Sequence, residues 1–162
     1  MPKFFPLVNP RKEGNKNISH YQDDNEKVVY HQPRFQSKRD INIFKEWIRL
    51  ELNKTTSEQK ISFYNTLIGK KSNHAKYRSL EWHKPSPTVV AHLYKDGLMF
   101  IHPDINQARS ITVKEAALLQ SFPDDYNFEG SMGFCFKMIG NAVPPEMAKN
   151  IAFSTYNYLS KV

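Results

Sequence analysis

Cysteine and glycine are scarce in this chain, with one cysteine, Cys135, and six glycines among 162 residues. A lone cysteine excludes an internal disulfide framework and a cysteine-rich zinc site. The glycines stand at positions 14, 69, 97, 130, 133 and 140, so no Gly-x-Gly loop exists to cradle a phosphate or a dinucleotide. His-Glu-x-x-His and Gly-x-Ser-x-Gly are also missing, which removes two common hydrolase signatures. No run of eighteen apolar residues occurs, so a helical membrane span is excluded. Met1-Pro2-Lys3-Phe4-Phe5-Pro6 lacks the apolar core and cleavage site of a secretory leader. Together these absences predict a cytoplasmic, thiol-reduced protein with no metal centre.

Acidic residues are missing where basic ones gather. The net charge is +7, and it is unevenly placed. Residues 1–80 hold 16 Lys/Arg against 8 Asp/Glu, whereas residues 81–162 hold 7 against 8. No acid lies between Gln59 and Leu80, a stretch with Lys60, Lys70, Lys71, His74, Lys76 and Arg78. Clustered cations of this kind release condensed counterions from a polyanion. A solvated face near a helix end would carry the same charges.

The pattern predicts an α+β fold. Residues 1–36 read as an irregular arm, broken by Pro2, Pro6, Pro10 and Pro33, with Val28-Val29-Tyr30 as its one extended piece. Ser37 with Asp40 resembles a helix cap, followed by Ile41, Phe44, Trp47, Ile48 and Leu52 at three- and four-residue spacing. A second helix is predicted over 56–68, with Ile61, Tyr64, Leu67 and Ile68 inward, Gly69 as its stop and Lys70-Lys71 favouring its C-terminus. Thr88 to Tyr94 is β-rich, and Asp96-Gly97 then Leu98 to Ile101 predicts a hairpin. That turn sets His92 opposite Ile101 and His102 opposite Ala91, with the imidazoles on opposite faces, so no metal is assigned to them. Thr112 and Glu115 form a capping box for a short helix that Pro123 ends. A last helix is predicted from Pro144, with Ala148, Ile151, Ala152, Thr155 and Leu159 as its stripe. Cys135 lies between Phe134 and Phe136 with Lys137 two residues on. It reads as a buried, inert thiol, since apolar flanks disfavour the thiolate.

Two segments stand out. One runs from Arg109-Ser110-Ile111-Thr112 through Glu115 to Gln120-Ser121-Phe122-Pro123-Asp124. The other is Met138-Ile139-Gly140-Asn141-Ala142-Val143-Pro144-Pro145-Glu146-Met147-Ala148. In this order they resemble the last two conserved motifs of the DNA cytosine-5 methyltransferases. Lys84-Pro85-Ser86-Pro87-Thr88-Val89 and Ile101-His102-Pro103-Asp104 are similar to a bacterial branch of that family. The resemblance is clear over 82–155, and Arg34 with 39–44 matches more loosely the entry to a target recognition region.

The resemblance implies a division into the arm (1–36), a target recognition domain (37–137), and a cofactor-lining segment with a C-terminal helix (138–162) that would dock on a missing catalytic domain. Helices packed on a hairpin or small antiparallel sheet would form the recognition domain. Arg109, Thr112, Glu115 and Pro123 are then structural, with Lys114 solvated. Asn141, Ala142 and Val143 would line the S-adenosylmethionine pocket. On the residues alone, Gly140 allows a close approach, and backbone N–H groups at a helix start suit a carboxylate. Asn141 as a plain cap of the last helix fits the same residues.

Leu118 stands where many relatives have arginine, and Met138 where many have glutamine. The family's Phe-x-Gly-x-Gly loop, Pro-Cys-Gln nucleophile, Glu-Asn-Val acid and Gln-x-Arg-x-Arg motif have no match. The chain is therefore expected to be inactive alone and to hold no catalytic residue. It would be either an excised piece of a longer polypeptide or the smaller subunit of a split methyltransferase, in a restriction–modification setting. Its expected partners are double-stranded DNA and a catalytic domain or subunit, and self-association through an exposed helix face at Ala148, Ile151, Ala152 and Thr155 is expected. No membrane partner is expected. Lys70, Lys71, Lys76 and Arg78 are candidate phosphate contacts, and His92, Tyr94 and Lys95 candidate groove contacts. A non-catalytic DNA-binding or regulatory module derived from such an enzyme is the alternative.

Overall fold

Ser37 opens the first helix of the computed structural model, which describes residues 30–69, 71–95 and 97–161. The Ser37 hydroxyl oxygen accepts the Asp40 N–H at 3.1 Å, satisfying one free donor at the start of α1 (Lys38–Arg49). Ile43, Phe44 and Trp47 are the buried residues of α1. A short 3-10 turn, Leu52–Lys54, follows. Thr56 and Gln59 then cap α2 (Ser57–Ile68) reciprocally, and Gly69 closes it at φ 64°. The inward side of α2 carries Phe63, whose ring meets Trp47 at 5.7 Å, and Tyr64, which meets Tyr77 at the same distance. Leu67, expected inward, is exposed. Asn53 pins this half together, because its Oδ1 accepts the Trp47 indole N–H at 2.9 Å and its Nδ2 donates to the Ser79 carbonyl at 2.7 Å.

The expected hairpin does not form, and the architecture is helical. Among the described residues no strand or sheet is present. Isolated bridges join Ser79 to Ile101 in parallel and Ile101 to Ser110 antiparallel. Ile101 thus faces Ser79 and Ser110, not His92. Residues 91–94 instead wind into a 3-10 turn, Ala91–Tyr94. Asp96, half of the predicted turn dipeptide, lies outside the described residues, as do residues 1–29, Lys70 and Val162. The physical reason is tertiary: Val89 and Leu93 both enter one core cluster, and a tight turn brings two residues four apart to one side where a strand would also require an edge partner. β-propensity is a preference for a pleated, half-buried surface, and no partner supplies that surface here.

Alternation survives only at Phe100 and Ile101, just after a turn at 98–99. Phe100 joins a core with Leu93, Ile111, Ala116, Phe136 and Ile139. Its neighbour Ile101 joins a second core with Phe44, Trp47 and Tyr77. Successive side chains on extended backbone point to opposite sides, so this segment is the seam between the two clusters. Residues 30–36, the last of the stretch read as an arm, lie against the first cluster. Tyr30 is buried there, its hydroxyl held by the Phe128 carbonyl at 2.5 Å and by the side-chain oxygen of Asn127.

The chain then turns into α3 (Val113–Leu119), α4 (Met132–Asn141) and α5 (Pro145–Leu159). Helix α4 carries Cys135, whose expected burial the fold shows. Ser131 caps it through the Phe134 N–H, and Cys135, Phe136 and Ile139 are its buried residues. Gln120, at the end of α3, donates to the Ile139 carbonyl at 3.1 Å, which also accepts the Ala142 N–H at 3.2 Å, and to the Ala142 carbonyl at 3.4 Å.

Helix α4 packs on the turn Ala91–Tyr94 at backbone contact. A Cβ on Gly140 would sit 2.5 Å from the Val90 carbonyl oxygen and 3.0 Å from the Ala91 Cα. A helical glycine replaced by alanine ordinarily gains about 1 kcal/mol. For Gly140→Ala the sign reverses, with an expected loss of about 1–3 kcal/mol from overpacking. The drop is read from the urea unfolding midpoint, and a raised midpoint would show that the two backbones part freely.

Candidate nucleic-acid interface

The basic stretch after α2 is tethered before it is presented. The Asn65 Oδ1 accepts the Ser72 N–H at 2.8 Å, and the Ser72 hydroxyl bridges to the backbone of His74. From there the backbone runs extended, with Lys76 and Arg78 exposed while Tyr77 and Ser79 are buried. Period-two alternation thus sends both cations outward. Lys71 and His74 are exposed as well. Lys60 is not part of this face, because its Nζ donates to the Asn53 carbonyl at 3.1 Å.

The turn Ala91–Tyr94 forms the second basic element. Leu93 is its anchor, buried in the core, while His92, Tyr94 and Lys95 are exposed. The Lys95 ammonium stands 6.0 Å from the centre of the Tyr94 ring. The bridge between Ser79 and Ile101 is parallel, and the Arg78 N–H donates to the Leu98 carbonyl at 3.0 Å. Beyond the bridge, the Trp82 and His102 rings meet at 5.4 Å. A cleft of about 430 Å³ opens beside them, lined by Trp47, Ser79, Trp82, His83 and Pro103.

The motif from Arg109 onward braces the middle of the molecule. Arg109 donates to both Glu115 carboxylate oxygens at 2.7 Å, to Gln107 at 2.8 Å and to the Ser110 carbonyl at 3.1 Å. Glu115 also accepts the Thr112 N–H at 2.8 Å, while Thr112 accepts the Glu115 N–H at 3.2 Å. The capping box of α3 is therefore locked by a buried guanidinium. Burial alone would raise the Glu115 pKa, but the Arg109 hydrogen bonds and charge outweigh it and hold the carboxyl below its usual value. His102 lies 3.7 Å from Glu115, yet this is not an ion pair. Its Nδ1 accepts the Asp104 N–H at 3.2 Å, which requires a neutral ring. Burial, helped by the Arg109 charge, pushes its pKa down to about 4. Lys114, expected solvated, pairs with the Asp124 carboxylate at 2.7 Å and with its carbonyl. Pro123 is exposed, and its carbonyl accepts the Tyr126 N–H at 3.1 Å.

The segment after α4 differs from a simple capped helix start. Gly140 and Asn141 form the last turn of α4, and Pro144, not Asn141, occupies the cap position of α5 with no side-chain bond. Pro144 and Pro145 carry no N–H. The first available donor, that of Glu146, is taken by the Ser121 hydroxyl at 3.1 Å. The corner at Asn141, Ala142 and Val143 is open, with Asn141 and Val143 exposed. Helix α5 buries no residue. Val143, Met147, Ile151, Phe153, Tyr156, Tyr158 and Leu159 are each between 52% and 71% exposed, and Ala148, Ala152 and Thr155 are exposed beside them.

Sequence reasoning missed three contributors to this arrangement: α4, the Gln120 clasp and the role of Arg34. A Ser131 cap followed by apolar residues at 135, 136 and 139 was the signal for α4. Gln120 and Arg34 make contacts far away in sequence, and no local pattern marks those.

Residues 7–157 match the family model for C-5 cytosine-specific DNA methylases. The chain is 52% identical over 77 residues to the type II methyltransferase M.AgeI of Thalassovita gelatinovora, covering 48% of this chain and 18% of that protein. It is 58% identical over 65 residues to the type II methyltransferase M.Bpa9945I of Bacillus paralicheniformis, covering 40% and 15%. To DNA (cytosine-5)-methyltransferase 3 of Arabidopsis thaliana it is 41% identical over 88 residues, covering 51% and 6%. The matched stretch thus spans less than a fifth of each relative's length. A family match over nearly the whole chain, on a fold that carries both motifs, places this protein in the C-5 cytosine-specific DNA methylase family.

Proposed function

We propose that this chain is the DNA-recognition and docking portion of a DNA (cytosine-5-)-methyltransferase, which transfers methyl from S-adenosylmethionine to cytosine in a specific duplex sequence in a restriction–modification setting. The observation that carries the reading is α5. Apolar and aromatic side chains surround most of that helix, and none is buried. A helix apolar over so much of its circumference is a buried element of a larger core, and an exposed patch of this kind marks an interface. The occupant proposed for it is the catalytic portion of the enzyme, with self-association as the outcome when that portion is absent.

The chemistry requires a thiolate to attack the ring, a carboxyl group to protonate it and extrusion of the base from the stack. Cys135 does not serve, since it is buried and burial pushes its thiol pKa up. Nucleophile and acid are supplied by the catalytic portion. The open corner at Asn141, Ala142 and Val143 fits one wall of a methyl-donor site, with the exposed Asn141 amide able to hydrogen-bond the donor. The bound S-adenosylmethionine supplies the methyl group itself. The two proline nitrogens and the occupied Glu146 N–H argue against a carboxylate bound at the start of α5.

Mixing this chain with the catalytic portion and following transfer of labelled methyl to DNA tests the reading. Activity should appear only in the mixture and disappear with Ile151→Asp. DNA binding that never restores methyl transfer would favour the non-catalytic module instead. Charge reversal at Lys71, Lys76 and Arg78 should weaken binding of a duplex at least about tenfold and flatten its log–log salt slope by up to about 3, at roughly 0.9 per lost phosphate contact. An unchanged slope would remove these residues from the interface.

A further inference from the structure

We propose that Arg34 is a positioning residue for DNA binding, holding the turn Ala91–Tyr94 against α4 so that His92, Tyr94 and Lys95 are presented in one fixed arrangement. This rests on the DNA-recognition reading above and adds to it a residue outside the contact surface.

The turn is gripped at both ends. At its start, the bare backbone of Gly140 in α4 lies against Val90 and Ala91, where even a methyl group has no room. At its end, Arg34 donates to the Leu93 carbonyl at 2.6 Å and to the Tyr94 carbonyl at 3.2 Å. The same guanidinium lies 3.9 Å above the ring centre of Phe136, a fully buried residue of α4. One planar cation thus joins the end of the turn to the face of the helix. A 3-10 turn of four residues has poor hydrogen-bond geometry of its own, so its conformation depends on these external contacts. Leu93 fills the core between the two grips, leaving residues 92, 94 and 95 outside. A lysine at position 34 has neither the planar fork nor the stacking face.

The test measures binding of the full chain to a fluorescent duplex of mixed sequence at low salt. Arg34→Ala should weaken binding about tenfold, the size of one shared network interaction, in a chain shown by its melting curve to be folded at the assay temperature. Arg34→Lys should restore little of it. Phe136→Leu keeps an apolar core residue but removes the ring under the guanidinium, and it should give a smaller loss of the same kind should Arg34→Ala fail to fold. The deciding measurement is a cycle with His92→Ala/Tyr94→Ala/Lys95→Ala. In that background Arg34→Ala should have no further effect, because there is nothing left to position. Equal losses in both backgrounds would mean that Arg34 touches DNA directly and would overturn the positioning role, as would wild-type affinity in Arg34→Ala and Phe136→Leu. Failure of the unmodified chain to bind duplex would overturn the DNA-recognition reading itself, and the role of Arg34 with it.

Discussion

Glu115→Ala should destabilise the fold by about 3–5 kcal/mol, the cost of stripping one partner from a buried ion pair. Arg109 is 4% exposed and directs two guanidinium nitrogens at that carboxylate. Without it a buried cation keeps only Gln107 and the Ser110 carbonyl. The same change removes the acceptor for the Thr112 N–H at the start of α3. Glu115→Gln separates the two contributions, because an amide oxygen still completes a capping box but carries no charge. Its loss should be clearly smaller. Thr112→Ala, which removes the reciprocal half of the box, should cost about 1 kcal/mol. Urea unfolding curves for the three variants check the order. A Glu115→Ala loss below about 1 kcal/mol would show that Arg109 finds water instead, contrary to the usual price of an unpaired buried charge.

Stability should also fall on mild acidification, through His102. The ring is neutral in the folded state, with its Nδ1 accepting the Asp104 N–H and its pKa pushed down to about 4 by burial and then by Arg109. A group whose folded pKa lies below its unfolded value favours folding when deprotonated. The contribution is therefore complete above about pH 6.5 and is lost progressively as pH falls toward 4. A shift of that size corresponds to about 3 kcal/mol, and residual solvent screening reduces it to about 2. His31, whose pKa burial also lowers, contributes with the same sign. Its Nδ1 lies 3.1 Å from the Thr112 hydroxyl in the same network. Glu115, held below its usual value by Arg109 despite burial, adds a further loss below about pH 4.5. In His102→Gln an amide oxygen replaces Nδ1 as acceptor and cannot titrate, so the unfolding midpoint should flatten between pH 7 and 5. A flat profile in the unmodified chain would mean that a protonated ring fits the site.

Much of the local structure is legible in single residues. Ser37 with Asp40, Thr56 with Gln59 and Thr112 with Glu115 mark helix starts because a cap satisfies donors within three residues of itself. Gly69 marks a helix end because the left-handed conformation is cheap only for glycine. Amphipathic spacing places Phe44 and Trp47 inside. The same method fails at 88–101, where a β-rich composition yields a 3-10 turn and isolated bridges. The packing of Leu93, the approach of Gly140 and the Arg34 clamp decide that conformation, and all three involve residues distant in the chain. It fails again at α4, whose glycines and aromatics conceal a helix that the Ser131 cap and core packing stabilise.

The sequence by itself determined the family, the basic half of the chain and the identity of the residues that carry charge, because motif spacing and ionisable side chains are local properties. Tertiary structure alone decided how they are arranged. It turned Lys76 and Arg78 outward by burying Tyr77 and Ser79, and it turned His92, Tyr94 and Lys95 outward by burying Leu93. It kept His102 neutral beside a carboxylate. It left every apolar side chain of α5 uncovered. Each of these depends on which distant groups share water, charge or volume, and that information exists only when the chain is folded.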